Sequence, residues 1–247
     1  MRIEQVSDSV HVVTGTNVNW ALVSDGSGVT VIDAGYPADA DDVQASVRAI
    51  GHDLADIAAV LVTHAHLDHI GGVPPLVEKV GMPVYMGADE VPHARREFQQ
   101  QITPLEVAAQ LTRPGGPVWV WQTLRAVRPL AGGLATKLPT ATAPTEAELL
   151  ALPGGFKAIA TPGHTVGHTA YLMPSEGVLF SGDALVTGHR LLRDDGPQHL
   201  PDVFHHDLPG ARASAHALAA HAATILVPGH GRPVRQPISI LVRQLPD

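Results

Sequence analysis

The chain has 247 residues, of which 45% are hydrophobic and 16% are charged, and its formal net charge is −8. These values are typical of a globular protein and do not favour a nucleic-acid surface, and the lack of cysteine excludes disulfides, thiolate metal ligands and a cysteine nucleophile. Because no apolar stretch approaches about 18 residues and the first residues lack the apolar core of a signal peptide, we expect a cytoplasmic protein without a membrane span.

The first third of the sequence predicts short strands, then a helix and a buried strand. Runs of β-branched and apolar residues predict strands over 10–14, 20–24 and 29–35. A helix with apolar residues at helical spacing follows and ends near Gly51. The continuous apolar run 57–62 is typical of a strand that is buried on both faces. A short helix over 74–81 and a strand over 83–87 come next.

Residues 88–150 differ in composition from what surrounds them. They contain a helical pattern, a Trp-bearing apolar segment and a linker rich in Pro, Thr and Ala. After them the sequence predicts three strands over 156–163, 169–174 and 177–183, an Ala-rich helix over 209–222, and a final strand and turn over 224–231. We therefore predict two sheets with helices outside them, in one domain over 1–247 that carries 88–150 as a helical cap or insert.

The segment 61–72, LVTHAHLDHIGG, places four polar residues directly after the buried strand: His64, His66, Asp68 and His69. In a chain without cysteine, histidine and carboxylate are the ligands available for zinc, iron or manganese. An extended backbone points His64 and His66 to one side. Asp68 and His69 follow in a turn and can face a second ion about 3.5 Å away. A solvated His-rich turn is the alternative interpretation of this segment taken alone.

Three further candidate ligands occupy similar positions, each after an apolar strand and among glycines. They are His164 in PGHT, Asp183 in SGD and His230 in PGHG. Loops at strand ends are where a rigid scaffold positions functional groups, and neighbouring glycines allow the backbone to approach closely. Four strand ends that deliver candidate ligands are stronger evidence for a metal site than any one histidine.

The chain resembles the metallo-β-lactamase superfamily over nearly its whole length. The resemblance rests on five motifs that occur in this order: IDAG with Asp33, THAHLDH, PGHT, SGD and PGHG. The resemblance implies an α/β fold, the αββα sandwich, with a dinuclear site at one edge of its two sheets. It implies a first metal bound by His64, His66 and His164, a second bound by Asp68, His69 and His230, and Asp183 as the bridge. Residues that look like orienting partners of these ligands are Asp33, Thr63 and Thr165.

This ligand set predicts a dinuclear metallohydrolase. Two divalent ions, expected to be zinc with iron or manganese as alternatives, would share a water, lower its pKa and give a bridging hydroxide. Asp68 would act as the catalytic residue that orients this hydroxide and accepts its proton. Two rival hypotheses remain open, namely a mononuclear iron dioxygenase acting on a thiol or persulfide and a non-catalytic metal-binding module of the same fold.

Departures from known branches of the superfamily favour an ester, thioester or lactone as substrate. The best-known β-lactamase subclass uses Cys at the second metal, and the subclass without Cys usually lacks the bridging Asp that is present here. Residues 231–247 do not supply the glutathione-binding region of glyoxalase II. Lactonases commonly place a Tyr shortly after the bridging Asp, where this chain has Ala, Leu, Val and Thr at 184–187. A lactonase would therefore act here without its usual electrophilic helper.

The insert leads to the last prediction, which concerns the substrate. Trp119 and Trp121 are expected to form an apolar lid that contacts the acyl portion of a small-molecule substrate. A place in the core or in a homodimer contact is the alternative for both tryptophans. His205 and His206 are expected to be surface residues, with a place at the mouth of the pocket as the alternative. His168 is expected to act as a structural or orienting residue rather than a ligand.

Overall fold

Two β-sheets lie face to face in the computed structural model, which describes residues 1–128 and 131–245. The first sheet contains, in spatial order, β1 (Arg2–Gln5), β2 (Val10–Thr14), β3 (Asn19–Ser24), β4 (Val29–Ile32), β5 (Ile57–Leu61) and β6 (Val84–Tyr85). The second sheet contains β7 (Lys157–Ala160), β8 (Thr169–Met173), β9 (Val178–Gly182), β10 (Ile225–Pro228) and β11 (Val234–Arg235), in the spatial order β11-β10-β9-β8-β7.

The helices of the described residues are α1 (Ala40–Ala49), α2 (Leu67–Ile70), α3 (Val73–Val80), α4 (Val91–Ala94), α5 (Pro104–Ala109), α6 (Gly116–Val127), α7 (Glu146–Ala151), α8 (Leu208–Ala217) and α9 (Ile238–Val242). Four of them cover the outer faces of the two sheets. Apolar residues of α1 and α3 pack on the first sheet, and those of α8 and α9 pack on the second. The predicted αββα sandwich is thereby confirmed. Within the described ranges, no helix has both the length and the apolar character needed to cross a membrane.

One core cluster lies between the two sheets. Val12, Val23 and Leu61 of the first sheet meet Tyr171 and Phe180 of the second, and all five are at most 1% exposed. Such burial contributes about 25 cal/mol for each Å² of apolar surface removed from water. This close-packed layer fixes the position of one sheet relative to the other, and with it the loops at their shared edge.

Parallel pairing brings the functional loops to one edge of the sandwich. Strand β4 runs parallel to β5, and β9 runs parallel to β10. The carboxyl ends of parallel neighbours lie at the same edge of a sheet. Asp33 and His64 follow the first pair of strands, and Asp183 and His230 follow the second. The sequence order of the motifs therefore becomes a spatial cluster.

Several predicted boundaries differ from the observed ones for identifiable reasons. Strand β1 was not predicted, because only Ile3 among its four residues is a strong strand former. The strand expected over 29–35 ends at Ile32, because Asp33 adopts a left-handed backbone with φ of 59°. The Ala-rich helix is shorter than expected, since α8 ends at Ala217 and a single 3₁₀ turn follows it.

The described part of the insert contains the four helices α4 to α7, and its ends belong to the sandwich. Leu138 and Ala141 pack with the core on the outer face of the first sheet. Leu149 of α7 is 3% exposed and packs among the residues between the two sheets. The middle of the insert, around α6, packs instead on the loops at the functional edge.

Candidate metal centre

Three histidines meet at the edge of the sandwich with their ring nitrogens converging. His164 Nε2 lies 3.1 Å from His64 Nε2 and 3.0 Å from His66 Nδ1. All three side chains are buried, and their ligand atoms lie within 4.8 Å of one another. This spacing allows one metal ion to be bound by all three rings.

A second group of ligand atoms lies beside the first. His230 Nε2 is 3.6 Å from Asp68 Oδ2, and His69 Nε2 is 3.9 Å from the same oxygen. The three side chains form another group within 4.8 Å, in which Asp68 is partly exposed and both histidines are buried. This group has the composition of a second ion site with two imidazoles and one carboxylate.

Asp183 lies between the two groups. Its Oδ2 is 3.3 Å from His164 Nε2 and 3.2 Å from His230 Nε2, and its Oδ1 is 3.4 Å from His69 Nε2. One carboxylate thus faces histidines of both groups. The structure therefore brings together all seven ligand candidates named from the sequence, in the two sets that the resemblance implies.

Asp33 and Thr63 fix the orientation of two of these histidines. Asp33 Oδ2 accepts hydrogen bonds from His69 Nδ1 and from the Thr63 hydroxyl, both at 2.8 Å. Thr63 Oγ1 in turn lies 3.1 Å from His64 Nδ1. Since Thr63 donates to Asp33, it accepts from His64. The His64 ring then carries its proton on Nδ1 and turns an unprotonated Nε2 towards the centre. The His69 ring donates from Nδ1 to Asp33 and turns its Nε2 in the same direction.

In His230, His66 and His164 as well, a hydrogen bond from one ring nitrogen leaves the other nitrogen facing the cluster. His230 Nδ1 donates to the backbone oxygen of Asn17 at 2.6 Å. His66 Nε2 donates to the backbone oxygen of Gln100, so its Nδ1 is the nitrogen that faces the cluster. His164 Nδ1 lies 3.4 Å from His205 Nδ1. His205 also donates from Nε2 to the Leu200 oxygen at 3.2 Å, so its Nδ1 is the acceptor for His164.

This arrangement fits a cation. In His64, His66 and His164, the ring nitrogen that points away from the cluster carries the proton. The nitrogens that face the cluster therefore have lone pairs, and they lie 3.0–3.1 Å from one another with no hydrogen between them. His69 Nε2 and Asp183 Oδ1 are buried and face each other at 3.4 Å, and neither makes a hydrogen bond by geometry within the described ranges. Buried polar atoms normally have partners, so these atoms indicate positions where metal ions would complete the bonding.

Electrostatics distinguish the two groups. Burial lowers the pKa of His64 and His164 well below 6.5 and that of His66 to about 4, so these rings are neutral at pH 7 and ready to bind a cation. Burial also opposes a charge on His69, but Asp183 and Asp33 raise its pKa well above 6.5. The carboxylates thus favour positive charge in the second group, which a divalent ion would supply in exchange for protons.

Glu90 connects the loops that carry the first group of histidines. Its carboxylate is fully buried and accepts from Ala65 N at 2.7 Å, Thr165 Oγ1 at 2.8 Å and Gly167 N at 3.0 Å. It also accepts from His93 Nδ1 at 2.7 Å. Burial opposes its ionisation, but the bond and charge of His93 and the other donors lower the pKa of Glu90 below 4.5. The carboxylate is therefore an ionised link between the 64–66 and 164–167 segments.

Thr165 and His168 reach the centre indirectly. Thr165 bonds Glu90 and so anchors the loop of His164, rather than orienting a ligand itself as the resemblance implies. His168 accepts from Asp183 N at 3.0 Å through Nε2, and its Nδ1 bonds Thr161 Oγ1 at 2.7 Å. Burial lowers its pKa to about 4, so the ring stays neutral and holds the backbone of Asp183.

The two tryptophans of α6 face different directions. Trp119 is 3% exposed and packs against Phe204 and His189, with ring centroids 5.7 and 6.0 Å away. The His189 ring packs in turn on His230 at 5.2 Å. Trp121 is 56% exposed and lies under the guanidinium of Arg125. Residues two apart on a helix are separated by about 200°, so one tryptophan approaches the site while the other faces outwards.

Some residues around the site carried no usable signal in the sequence. Glu90, Gln100 and Asn17 act through contacts with segments distant in the chain, and two of them act through backbone oxygens. His205 does reach His164, whereas the bond that the structure gives to its neighbour His206 is a backbone one, from its N to the His164 oxygen. For these residues the sequence offers only a general excess of histidines, and that excess does not assign a role to any single histidine.

A family profile described as the metallo-beta-lactamase superfamily matches residues 13–230. The chain is 26% identical over 231 residues to the probable metallo-hydrolase YflN of Bacillus subtilis, an alignment that covers 86% of this chain and 79% of that protein. It is 35% identical over 173 residues to a hydroxyacylglutathione hydrolase of Halorhodospira halophila, covering 70% of this chain and 48% of the relative.

A solved structure shows the same fold. The crystal structure of a metallo-beta-lactamase family protein from Thermus thermophilus aligns with a TM-score of 0.65 and 20% sequence identity, over 97% of this chain and 79% of the other.

Proposed function

The chain belongs to the metallo-β-lactamase superfamily, and we propose on this basis that it cleaves an ester, thioester or lactone with two divalent metal ions held at the centre described above. The observation that carries this proposal is the completeness of both ligand groups. Each offers three side-chain donors, and Asp183 faces both. A mononuclear oxygenase would use a reduced ligand set, so the convergence of Asp68, His69 and His230 favours the two-metal proposal.

His64, His66 and His164 would hold the first ion, Asp68, His69 and His230 the second, and Asp183 both. Zinc is the metal that we expect for a site dominated by imidazole, with iron and manganese as alternatives. When bound, two such ions supply a water of lowered pKa and polarise the scissile carbonyl oxygen. The protein's own part is to hold the ligands in one orientation, through Asp33, Thr63 and the backbone oxygens.

Asp68 is the residue that we assign to proton transfer. Its side chain is 17% exposed, whereas that of Asp183 is 2% exposed, so Asp68 lies at the open side of the centre. Its Oδ2 lies between His69 and His230. A carboxylate in this position can orient the attacking water and accept its proton at one oxygen.

The middle of the insert supplies the wall of the substrate pocket in this proposal. Ala126 and Val127 of α6 pack with Leu67, next to Asp68, and Trp119 packs with Leu191 in the loop after Asp183. Helix α6 therefore spans the two loops that flank the second ligand group. We propose that it caps the centre and that Trp119 favours a small-molecule substrate with an apolar acyl portion.

Hydrolysis by the zinc-loaded protein tests the proposal. Purified protein is assayed with a nitrophenyl ester, an acyl thioester and an acyl lactone, before and after a chelator and after zinc is returned. We expect hydrolysis of at least one substrate that disappears with the chelator and returns with zinc. The proposal fails if hydrolysis survives complete metal removal, or if the protein instead consumes oxygen with a thiol or persulfide and one bound iron.

A further inference from the structure

One side of helix α6 exposes a group of apolar residues. Six of the nine exposed large hydrophobic residues in the described part of the chain lie between residues 105 and 134. Three of the six belong to α6, namely Val118, Trp121 and Leu124, which are 48%, 56% and 52% exposed. Single exposed apolar residues are ordinary on a protein surface, but a group of them on one helix indicates an interaction surface.

Helical geometry places these residues side by side. At 3.6 residues per turn, Val118, Trp121, Leu124 and Arg125 fall within an arc of about 120°, and these four residues define the outer face of α6. The opposite side of the helix, which carries Trp119, is buried against the loops at the functional edge. Helix α6 is therefore apolar on both sides, and only one of them is covered by the protein itself.

The charge around the outer face of α6 is entirely positive. Residues 107–145 contain Arg113, Arg125, Arg128 and Lys137 but no acidic residue, although the formal net charge of the whole chain is −8. All four basic side chains are exposed. The guanidinium of Arg125 lies 4.8 Å from the centre of the Trp121 ring, so a cation and an aromatic ring form one pair on this face.

We propose that the outer face of α6 docks on an anionic lipid surface. Trp and Leu side chains on one side of a helix insert at the boundary between headgroups and acyl chains, and neighbouring arginines attract acidic headgroups. With 12 residues α6 is shorter than the roughly 20 residues that span a bilayer, and its inner side packs on protein, so the helix lies along the membrane surface. Docking brings the functional edge of the sandwich close to the lipid.

A lipid surface fits this face better than a second copy of the chain. A two-fold contact places a surface against itself, so Arg113, Arg125 and Arg128 would approach the same residues of the other copy. Residues 107–145 offer no acidic side chain to neutralise them. Acidic headgroups, in contrast, supply negative charge along the whole face.

Vesicle binding tests this inference without reference to catalysis. Zinc-loaded protein is mixed with sucrose-loaded vesicles of phosphatidylcholine alone or of phosphatidylcholine with phosphatidylglycerol, and the bound fraction is measured by sedimentation. The variant Trp121→Gln/Leu124→Gln removes apolar contacts from the outer face of α6. Leu150→Gln is its control, because Leu150 is 50% exposed and belongs to α7.

A second pair of variants tests the charge. Arg113→Gln/Arg125→Gln removes two cations near the outer face of α6. Arg48→Gln/Arg243→Gln is the matched control, because it removes two exposed arginines that lie outside residues 105–134. Salt screens the attraction between exposed charges, so binding of the unsubstituted protein should also weaken as sodium chloride is added.

Tryptophan fluorescence gives an independent measurement. Trp20 and Trp119 are 1% and 3% exposed, whereas Trp121 is 56% exposed. Transfer of Trp121 from water to the lipid boundary should shift the emission to shorter wavelength when phosphatidylglycerol vesicles are added. The shift should be absent in Trp121→Gln/Leu124→Gln and present in Leu150→Gln.

We expect saturable binding to vesicles with phosphatidylglycerol that is about tenfold or more stronger than binding to phosphatidylcholine alone. It should weaken about tenfold or more in both test variants and be retained in both controls. Binding to neither vesicle, or equal binding by test and control variants, overturns the proposal. Equal binding to both vesicles also overturns it, because acidic headgroups then play no part. A lipid-free dimer that dissociates in Trp121→Gln/Leu124→Gln, measured by light scattering, overturns it as well, because a second copy then covers this face.

Discussion

Replacing Glu90 by Gln should loosen the loops that hold the first group of histidines. Glu90 Oε1 accepts from Ala65 N and His93 Nδ1, and Oε2 accepts from Thr165 Oγ1 and Gly167 N. Gln keeps one acceptor oxygen and turns an NH₂ group towards the other two partners. The Thr165 hydroxyl can rotate to accept, but Gly167 N remains a donor that faces a donor.

The expected loss in unfolding free energy follows from these contacts. A hydrogen bond to a charged group contributes about 1.5–3 kcal/mol, and the bonds that remain lose their charge assistance. We therefore expect Glu90→Gln to destabilise the metal-free protein by about 2–4 kcal/mol. Affinity for the first zinc should fall about 10–100-fold, the range found when partners of metal ligands are lost.

Two measurements separate positioning from simple stabilisation. Urea unfolding gives the free-energy change, and competition with a chelating dye gives the zinc affinity. Glu106→Gln is the control, because Glu106 closes an exposed capping box with Thr103 in which Gln serves equally well. If Glu90→Gln loses stability but binds zinc with unchanged affinity, Glu90 does not position the ligands, and the reasoning is refuted.

Three further predictions follow from the same geometry. Asp183→Asn should abolish turnover and lower the metal content of a protein that still folds, whereas Asp89→Asn, at an exposed position, should change neither. Full activity of Asp183→Asn would show that Asp183 is not part of the metal centre. The pKa of His168 is about 4 in the folded protein and 6.5 as its ordinary value, so on acidification the unfolded chain binds this proton before the folded chain does. The free energy of unfolding should therefore fall as the pH is lowered from 6.5 towards 4, and it should fall less steeply in His168→Gln. Urea unfolding that gives the same pH dependence for both proteins would contradict this. Trp119→Ala should flatten the rise of kcat/KM with acyl chain length, whereas Trp121→Ala should not, and equal effects would argue against the cap.

The ligands could be named from the sequence because each follows a strand that the core holds in place. The run 57–62 is buried, so the segment that follows it must emerge at the sheet edge with His64 and His66. The same reasoning applies to Asp183 after β9 and His230 after β10. Local pattern and parallel pairing together specify this part of the site.

The remaining parts of the site depend on tertiary contacts that leave no local pattern. Glu90 is one acidic residue at the start of a short helix, and only folding brings it against Ala65 and Gly167. Asn17 acts through its backbone oxygen, which any residue possesses. The two tryptophans were predicted to act together, but helical geometry turns Trp121 away from Trp119, and the sequence alone did not fix which face of α6 packs inwards.

Metal content, measured together with hydrolysis on natively purified protein, tests the central claim most directly. Elemental analysis should find two divalent ions per chain, expected to be zinc, and ester, thioester or lactone hydrolysis should fall in proportion as a chelator removes them. Acidification should release the ions as the histidine ligands take up protons. One iron per chain without hydrolysis, or hydrolysis at full rate by protein shown to be free of metal, would contradict the account.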